Sequence, residues 1–357
     1  MDAPVVEVVG KVCLLTCPKE AMHECLWDLA RNETCLHKAL KEQGLDFFYG
    51  EWGSNEEQMQ LIQKDADVVL IRSTWDYSDN CATKDRFLVW LKRLTLESNA
   101  ILLNPLDVVR WNSDKRYMLY LESKGVAIVP TKIVERGSVL PDVFQLQKEW
   151  NHSDAIIVKP VVGASARGLS KHILTNDDKL EQAELAHKSM ISVSNEDGGA
   201  IVQPFLSSIF QGETSVICVE GVPLLAVLKT PQNGDFRVQE EYGGVNTVIE
   251  LTEQLLNCSE KVIRSFPFPM NNILYARLDF VGVPSSSSSS SSSDDIEYLL
   301  IEAECIEPEL FVNMYPPLAQ ALACAISSVV KKRKQTETET EEIKDEEIKD
   351  EEIKVEG

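Results

Sequence analysis

Short apolar runs alternate with amphipathic stretches along the N-terminal third of the chain. The apolar runs have the length and composition of β-strands and fall at 12–16, 47–52, 68–72 and 101–104. Between them, apolar residues at helical spacing predict helices over 19–43, 56–64 and 87–94. Because strands that alternate with helices form parallel sheets, we expect a parallel α/β unit that binds ligands beyond the carboxyl ends of its strands.

The rest of the sequence is richer in strands. Apolar runs predict strands over 156–159, 200–206, 213–219, 223–229, 274–281 and 298–303. Glu220-Gly221 separates two of these runs and is a strong β-hairpin signal. Helices are predicted over 113–125, 177–188 and 310–330, and Pro316-Pro317 should interrupt the last of them.

Two low-complexity segments differ from the rest. Nine consecutive serines at 285–293 predict a flexible insertion between two strands. The C-terminal residues 336–357 repeat the motif EEIKD and carry eleven acidic residues against three lysines. Because a period of five places the isoleucines on no single helical face, we expect a solvated, disordered acidic tail over 334–357.

The stretch IIVKPVVGASARG at 156–168 places a charge on a buried-strand pattern. An ammonium group at the end of such a strand, here Lys159, is costly to bury unless an anion meets it. The small residues that follow let backbone N–H groups approach that anion, and the loop positions concerned are Ser165, Ala166, Arg167 and Gly168. The stretch indicates a phosphate-binding loop, but a snorkelling lysine before an ordinary turn is also compatible with it.

Three other charged residues occupy positions where ligands commonly bind. Lys115 lies in the first turn of the predicted 113–125 helix, where the helix dipole favours anions, so it either serves a phosphate or is a surface lysine. Arg72 and Asp76 follow the third predicted strand and suit a carboxylate and an amine, unless they pair with each other. Neither GxGxxG nor GxxxxGK[ST] occurs in the sequence.

A set of carboxylates defines a candidate metal site. Glu302 and Glu304 are two positions apart on one predicted strand, so they share a face, and Asp279 joins them if the 274–281 run pairs with that strand. Three carboxylates on one face repel each other unless a cation is present, and Mg²⁺ prefers carboxylates together with phosphate oxygens. A solvated sheet face is the alternative, although further glutamates at 307 and 309 favour a metal.

Composition narrows the class of protein. The chain of 357 residues carries a formal charge of −22, which argues against nucleic acid and anionic membranes as general partners but not against ATP in a local basic pocket. Nine scattered cysteines, without a CxxC pair or a histidine cluster, indicate reduced thiols and no zinc site. No signal-peptide pattern and no run of roughly 20 apolar residues is found, so we expect a cytoplasmic protein.

The order of these features resembles an ATP-grasp ligase, the fold of glutathione synthetase and D-alanine–D-alanine ligase. The segments RSTWDY, NPLDVVRWNSDKRYML, VVGASARG, VQPFL, LKTPQNGDFRVQ and ECIEPEL are similar to the branch that includes the O-ureido-serine cyclo-ligase of cycloserine biosynthesis. The resemblance implies an α/β (α+β) fold, with a parallel pre-ATP-grasp domain over 1–104. A two-lobed ATP-grasp domain with antiparallel sheets would follow over 105–333, its small lobe at about 126–206.

The resemblance also implies roles for individual residues. Lys115 and Lys159 would hold the α- and β-phosphates of ATP, and the loop at 165–168 would close over the β- and γ-phosphates. Mg²⁺, or alternatively Mn²⁺, would be held by Asp279, Glu302 and Glu304, although many relatives have Asn at the last position.

The nucleoside would be held by the next elements. Gln203, where many relatives have Glu, begins an adenine hinge that ends at Leu206, and backbone groups at Phe205 would read the base edge. Glu213 would accept hydrogen bonds from the ribose hydroxyls.

The remaining implied roles concern the transferring phosphoryl group and the acceptor. Arg237 would face the γ-phosphate, and Lys229 stands where glutathione-synthetase-like relatives usually have Arg. The candidate substrate residues are Arg72, Asp76, Gly243 and Gly244.

A ligase of this family would let a substrate carboxylate attack the γ-phosphate, and an amine would then displace phosphate to form a linear or cyclic C–N bond. We expect a small amino-acid-like substrate and a homodimer as the default assembly. Two alternatives are a phosphotransferase that stops at phosphoryl transfer and a non-catalytic nucleotide-binding module whose acidic tail binds a partner. The complete set of carboxylates argues against the second alternative.

Overall fold

The computed structural model describes residues 7–18, 33–53, 56–151, 153–164, 166–232, 235–239, 242–284 and 296–356. The predicted serine insertion, Ser165 and most of the predicted 19–43 helix lie outside these ranges. Within them, three β-sheets form the framework of the molecule.

The first sheet is parallel, as predicted. It has the order β2-β1-β3-β4 and is built from β1 (Gly10–Thr16), β2 (Leu45–Glu51), β3 (Val68–Ser73) and β4 (Ile101–Leu103). The helices between its strands are α1 (Thr34–Glu42), α2 (Glu56–Asp65) and α3 (Cys81–Glu97). A short 3-10 helix at Trp75–Asp79 follows β3 and carries the RSTWDY motif past the carboxyl end of the sheet.

The second sheet is antiparallel, with the order β5-β8-β6-β7. Two short helices, α4 (Leu106–Asn112) and α5 (Tyr117–Ser123), lead into it. Its elements are β5 (Lys132–Glu135), α6 (Val143–Glu149), β6 (Ala155–Pro160), β7 (Ser170–Ile173), α7 (Lys179–Asp197) and β8 (Gly199–Pro204). Apolar residues of α6 and α7 cover one face of this sheet.

The third sheet is also antiparallel and has the order β11-β10-β9-β12-β13. Its elements are β9 (Glu213–Val219), β10 (Val222–Thr230), β11 (Val245–Ile249), α8 (Glu253–Arg264), β12 (Tyr275–Pro284) and β13 (Ile296–Glu304). The predicted hairpin joins β9 to β10, and the predicted pairing of the two acidic strands is present between β12 and β13. The predicted fold class, a parallel α/β domain followed by antiparallel sheets, is therefore confirmed.

The last helix, α9 (Pro316–Glu356), returns to the first sheet. Alternate residues of β1 face opposite cores, so that Leu14 packs in the cluster that contains Leu322 of α9, whereas Leu15 packs in the cluster that contains Phe87 of α3. The C-terminal helix thus covers the face of the N-terminal sheet that α3 leaves uncovered.

Two predictions about α9 were wrong. The helix begins at Pro316 instead of being interrupted there, because proline is well tolerated in the first helical turn. It also continues through the EEIKD repeats, where we expected disorder. No glycine or proline follows Pro317 before the helix ends, and Glu and Lys are good helix formers, so backbone propensity favours a helix even without an apolar face.

The cysteines largely follow expectation. Cys13, Cys218 and Cys305 are free and buried, and burial raises the pKa of each thiol well above its usual range. Cys17 departs from the prediction of reduced thiols because it is disulfide-bonded. None of the helices in the described part of the chain combines the length and hydropathy needed to cross a bilayer.

Candidate functional site

A cavity lies between the two antiparallel sheets and brings together residues distant in sequence. The second sheet contributes Ile157, Lys159 and Gln203, and the third sheet contributes Glu213, Val281 and Ile301. The connection between the sheets adds Phe205 and Leu206, and a segment after β10 adds Phe236, Arg237, Val238 and Gln239. Of the predicted phosphate residues, Lys159 and Ala166 therefore line the same space as the predicted adenine residues.

Lys159 is delivered to this cavity by β6, as predicted. Burial lowers the pKa of its ammonium group, and Lys115 lowers it further, whereas Glu302 opposes the shift. A desolvated ammonium beside a second cation gains most from an anionic ligand. These surroundings suit a phosphate better than they suit a snorkelling lysine.

Lys115 lies near Lys159 but not inside a helix. The α5 helix begins at Tyr117, so Lys115 occupies the turn before it, held by a hydrogen bond of 2.8 Å from its N–H to the Val161 carbonyl. Its ammonium is 2.9 Å from Glu302 and also donates to the Gly163 carbonyl. Lys115 therefore bridges the small-residue loop and the acidic strand β13.

The small-residue loop has the tight backbone predicted for it. Ala166 and Gly168 have φ of 56° and 69°, in the left-handed region. The role predicted for Arg167 is not supported, because its guanidinium turns away from the cavity. It donates to the Ser78 carbonyl at 2.8 Å and pairs at 3.1 Å with Asp197, whose side chain is buried. Arg167 connects this loop to the 3-10 helix of the N-terminal domain.

At the predicted adenine hinge, the Phe205 backbone is already engaged. Its N–H donates to the Ala155 carbonyl at 2.8 Å, and its carbonyl accepts from the Ser153 hydroxyl at 3.1 Å. Hydrogen bonding with the start of β6 therefore extends past β8, and recognition of the base edge by the Phe205 backbone stays a prediction. The Gln203 amide donates to the Thr131 hydroxyl at 2.9 Å, while Leu206 lines the cavity.

Lys229 and Glu213 form a buried pair across the β9–β10 hairpin. The Lys229 ammonium contacts the Glu213 carboxylate and lies 3.4 Å from Asp279. Burial raises the pKa of Glu213, whereas Asp279 and Glu213 outweigh burial and raise the pKa of Lys229. Glu213 is thus neutralised by a lysine whose role the sequence left open.

The three predicted metal ligands are adjacent, but an arginine that we did not foresee lies among them. Asp279 is paired in register with Glu302, and Arg277 is paired with Glu304. The Arg277 guanidinium reaches both Asp279, at 3.0 Å, and Glu304, at 2.5 Å. The spacing R-x-D on β12 could have signalled this pair, because residues two apart share a sheet face.

Asp279 and Glu304 have opposite pKa shifts, although Arg277 contacts both of them. Burial would raise the pKa of Asp279, but Arg277 and Lys229 hold it at about 2. Burial, together with Glu302 and Asp279, raises the pKa of Glu304 to about 7 despite Arg277. In the described ranges, no three acidic, histidine or cysteine side chains are spaced to hold a metal ion. Asp279 is the weakest of the three candidates for a metal ligand, because Ser215, Arg277 and Lys229 already contact its carboxylate oxygens.

The segment after β10 is folded tightly on itself. Arg237 lines the cavity, yet its guanidinium pairs with Asp235 at 2.7 Å and lies 3.6 Å above the Tyr242 ring. A Cβ at Gly244 would lie 2.0 Å from the Val238 carbonyl, and one at Gly243 would lie 2.3 Å from a side-chain oxygen. Close packing accounts for both glycines, and their predicted role as substrate residues stays a prediction.

The RSTWDY segment separates its two predicted substrate residues. Arg72 is buried and pairs with Glu33, which contradicts both its predicted carboxylate site and the alternative pairing with Asp76. Asp76 accepts from the Trp52 indole at 2.8 Å, and burial raises its pKa to about 6. Glu307, which the sequence analysis noted only as a further glutamate, accepts from the Thr74 N–H at 3.0 Å, and burial raises its pKa well above the usual range.

Two family models match the chain in consecutive regions. Residues 12–104 match the D-cycloserine synthetase DcsG N-terminal domain, and residues 125–283 match the ATP-grasp domain of prokaryotic glutathione synthetase. Over these two regions the chain is similar to ATP-grasp ligases. These matches confirm the resemblance that the motifs suggested.

Individual ATP-grasp relatives are distant in sequence. The cycloserine biosynthesis protein DcsG of Streptomyces lavendulae is 27% identical over 46% of this chain and 52% of its own length. A glutathione synthetase of Prochlorococcus marinus is 27% identical over 43% of this chain and 44% of its own. The matched regions thus span about half the length of these curated relatives.

Solved structures agree in fold. The crystal structure of D-cycloserine synthetase DcsG superposes with a TM-score of 0.71 at 20% identity, covering 90% of this chain and all of that one. D-alanine–D-alanine ligase from Bacillus anthracis in complex with ATP gives 0.62 at 12% identity over 92% and 99% of the two chains. At these identities the likeness establishes the ATP-grasp fold alone.

Proposed function

We propose that the chain is an ATP-dependent ligase that joins a carboxylate to an amine, between two molecules or within one, through an acyl phosphate. The observation that carries the proposal is that Lys159 and Glu213 line one cavity between the antiparallel sheets, while Lys115 and Glu302 form an ion pair whose charges act on Lys159. The match to the ATP-grasp domain of glutathione synthetase and the relative named glutathione synthetase support the same class of reaction.

The nucleotide site follows from the charges. Lys159 and Lys115 supply two cations to the phosphates, and Lys115 can exchange its pair with Glu302 for a phosphate oxygen. Glu213 lies at the cavity wall to accept from ribose hydroxyls once Lys229 is released from it. Adenine would lie beside Leu206, near the aromatic side chains of Phe205 and Phe236.

Two of the three predicted carboxylates are suited to bind Mg²⁺. Glu302 and Glu304 use one carboxylate oxygen each in their ion pairs with Lys115 and Arg277, which leaves a second oxygen outside those pairs. Burial, with Glu302 and Asp279, raises the pKa of Glu304, so a divalent cation bound there would stabilise its charged form. Mg²⁺ bound there would neutralise phosphate oxygens during transfer.

The chain's own groups would then position the reaction. Lys159 and Lys115 fix the phosphates, and Lys229 is close enough to the acidic strand to stabilise charge on the transferring phosphoryl group. The carboxylate of the substrate attacks the γ-phosphorus, ADP leaves, and an amine attacks the acyl carbon as phosphate departs. Positioning and electrostatic stabilisation supply most of the rate enhancement in such transfers.

The proposal is less specific about the substrate than about the nucleotide. Asp76 and Glu307 lie at the boundary between the N-terminal domain and the third sheet, and both carry carboxylates that burial destabilises. A small amino-acid-like substrate with a free amino group suits these surroundings.

The test is release of ADP from MgATP with a panel of amino acids, with and without hydroxylamine. A ligase that forms an acyl phosphate gives a hydroxamate in the trap and an amide product without it. Formation of a stable phosphorylated product and no hydroxamate would favour a phosphotransferase. ATP binding without any turnover across the panel would instead indicate the non-catalytic module.

A further inference from the structure

One lysine outside the assigned site lies within a group of three phenylalanine rings. The ammonium of Lys171, on β7, is 3.3 Å from the centroid of the Phe205 ring, 5.6 Å from that of Phe236 and 5.8 Å from that of Phe210. The rings also contact each other, with centroids 5.7 Å apart for Phe205 and Phe236 and 5.8 Å apart for Phe205 and Phe210. We call these four residues the phenylalanine box.

The box joins three separate pieces of the nucleotide cavity. Lys171 belongs to the strand that follows the small-residue loop and is paired with Ile157, which lines the cavity. Phe205 belongs to the hinge, and Phe236 begins the cavity-lining part of the segment after β10. A single ammonium therefore contacts the second sheet, the hinge and the 235–239 segment at once.

The 235–239 segment contacts the hinge through a phenylalanine ring. Its described residues pair with each other, as Arg237 does with Asp235, and four of them line the cavity. Within it, Val238 is buried while the Arg237 side chain is 37% exposed. The Phe236 ring lies against the Phe205 ring, with centroids 5.7 Å apart, and so connects this segment to the hinge.

We propose that Lys171 is a positioning residue that fastens the 235–239 segment to the adenine hinge through cation–π contacts, and that it thereby sets nucleotide affinity. An ammonium over an aromatic face is attracted to the electron-rich face of the ring, and here one ammonium faces three rings. Burial lowers the pKa of Lys171, as expected for an ammonium removed from water, while Asp154 acts in the opposite direction. The affinity part of this proposal rests on the proposed nucleotide site, whereas the fastening part does not.

The first test needs no nucleotide. An arginine-specific protease can cut after Arg237 only when the segment opens, because Val238 on the other side of the bond is buried. In Lys171→Met, which keeps the length of the side chain and removes its charge, cleavage at Arg237 should be about fivefold faster or more. Lys171→Arg keeps a cation over the rings and should restore the original rate. Lys179→Met, an exposed lysine at the start of α7, is the matched control and should cleave like the unmodified chain.

The second test is titration of the full chain with a non-hydrolysable ATP analogue and Mg²⁺. Lys171→Met should bind it about five- to tenfold more weakly, and Lys171→Arg should bind it within about twofold. Phe236→Leu should reproduce the faster cleavage of Lys171→Met, which keeps the proposal testable if that variant is poorly folded.

Unchanged cleavage at Arg237 in Lys171→Met, or in Phe236→Leu, would overturn the fastening role even if either variant melts at a lower temperature. Faster cleavage with unchanged analogue affinity would overturn the control of affinity. If the unmodified chain fails to bind the analogue at all, the proposed function fails instead, and the cleavage experiment still decides the role of the box.

Discussion

The Lys115 ammonium lies 2.9 Å from a carboxylate oxygen of Glu302, which ties the turn before α5 to the acidic strand β13. Two residues proposed for opposite partners, phosphate and metal, thus neutralise each other when neither ligand is bound. Binding of MgATP would replace this pair with two new ones, so the site keeps its charges balanced in both conditions.

Replacing Glu302 should separate metal binding from phosphate binding. Glu302→Gln keeps the shape of the side chain but removes a metal ligand and frees Lys115. We expect the Mg²⁺ concentration for half-maximal ADP release to rise by about tenfold or more, since a lost charged contact typically costs about 1.5–3 kcal/mol. Glu297→Gln, at an exposed position of the same strand, should leave it unchanged. An unaltered Mg²⁺ requirement in Glu302→Gln would argue against this ligand.

Removing Lys159 should abolish turnover without unfolding the protein. Lys159→Met keeps the apolar stem and removes a buried ammonium whose lowered pKa shows that the folded state disfavours its charge. We expect kcat to fall by about 10²–10³-fold, the usual loss of about 2.7–4 kcal/mol for one electrostatic contact to a transition state. The melting temperature should stay the same or rise. Lys132→Met on β5 is the control, and full activity in Lys159→Met would refute the phosphate assignment.

Asp279 should matter for stability more than for metal binding. Asp279→Asn leaves the buried Arg277 and Lys229 without their shared anion, and breaking a buried pair in this way typically costs about 3–5 kcal/mol. Urea unfolding followed by fluorescence should show this loss. Glu304→Gln should be milder, because the raised pKa of Glu304 shows that its charge is poorly stabilised. Equal stabilities for Asp279→Asn and the unmodified chain would contradict the pairing.

The stability of the N-terminal domain should depend on pH through Asp76. Burial raises the pKa of this carboxyl from its ordinary value to about 6, so the folded state holds its proton more tightly than the unfolded state. The Asp76 contribution to the free energy of unfolding therefore decreases as pH rises from about 4 to 6. Since the side chain is partly exposed, screening limits the effect to about 1 kcal/mol.

Asp76→Asn removes this titration. Thermal melts at pH 4.5 and 7 should show the unmodified chain losing stability relative to Asp76→Asn at the higher pH. A constant difference between the two proteins across this range would show that the carboxyl does not titrate there.

Local sequence patterns predicted the structure correctly where a single strand or turn determines it. The apolar run that predicts β1 is a strand because its residues are buried on both faces of a parallel sheet, and the Glu220-Gly221 turn needs only its own backbone. The acidic repeats were misread because the prediction relied on an apolar face, whereas helix propensity does not require one. The ion pairs of Arg167 and Arg72 were not foreseen because their partners, Asp197 and Glu33, are far away in the chain.

The sequence by itself determined the order of strands and helices, the resemblance to ATP-grasp ligases and the residue types available for phosphate, ribose and metal. Those properties depend on periodicity and on motifs that can be read along the chain. Only the tertiary structure decided which charge neutralises which, because ion pairs such as Arg277 with Glu304 and contacts such as Lys171 with Phe236 form between elements that the sequence does not place side by side. Electrostatic energy depends on distance and burial, and both are set by the packing of the sheets.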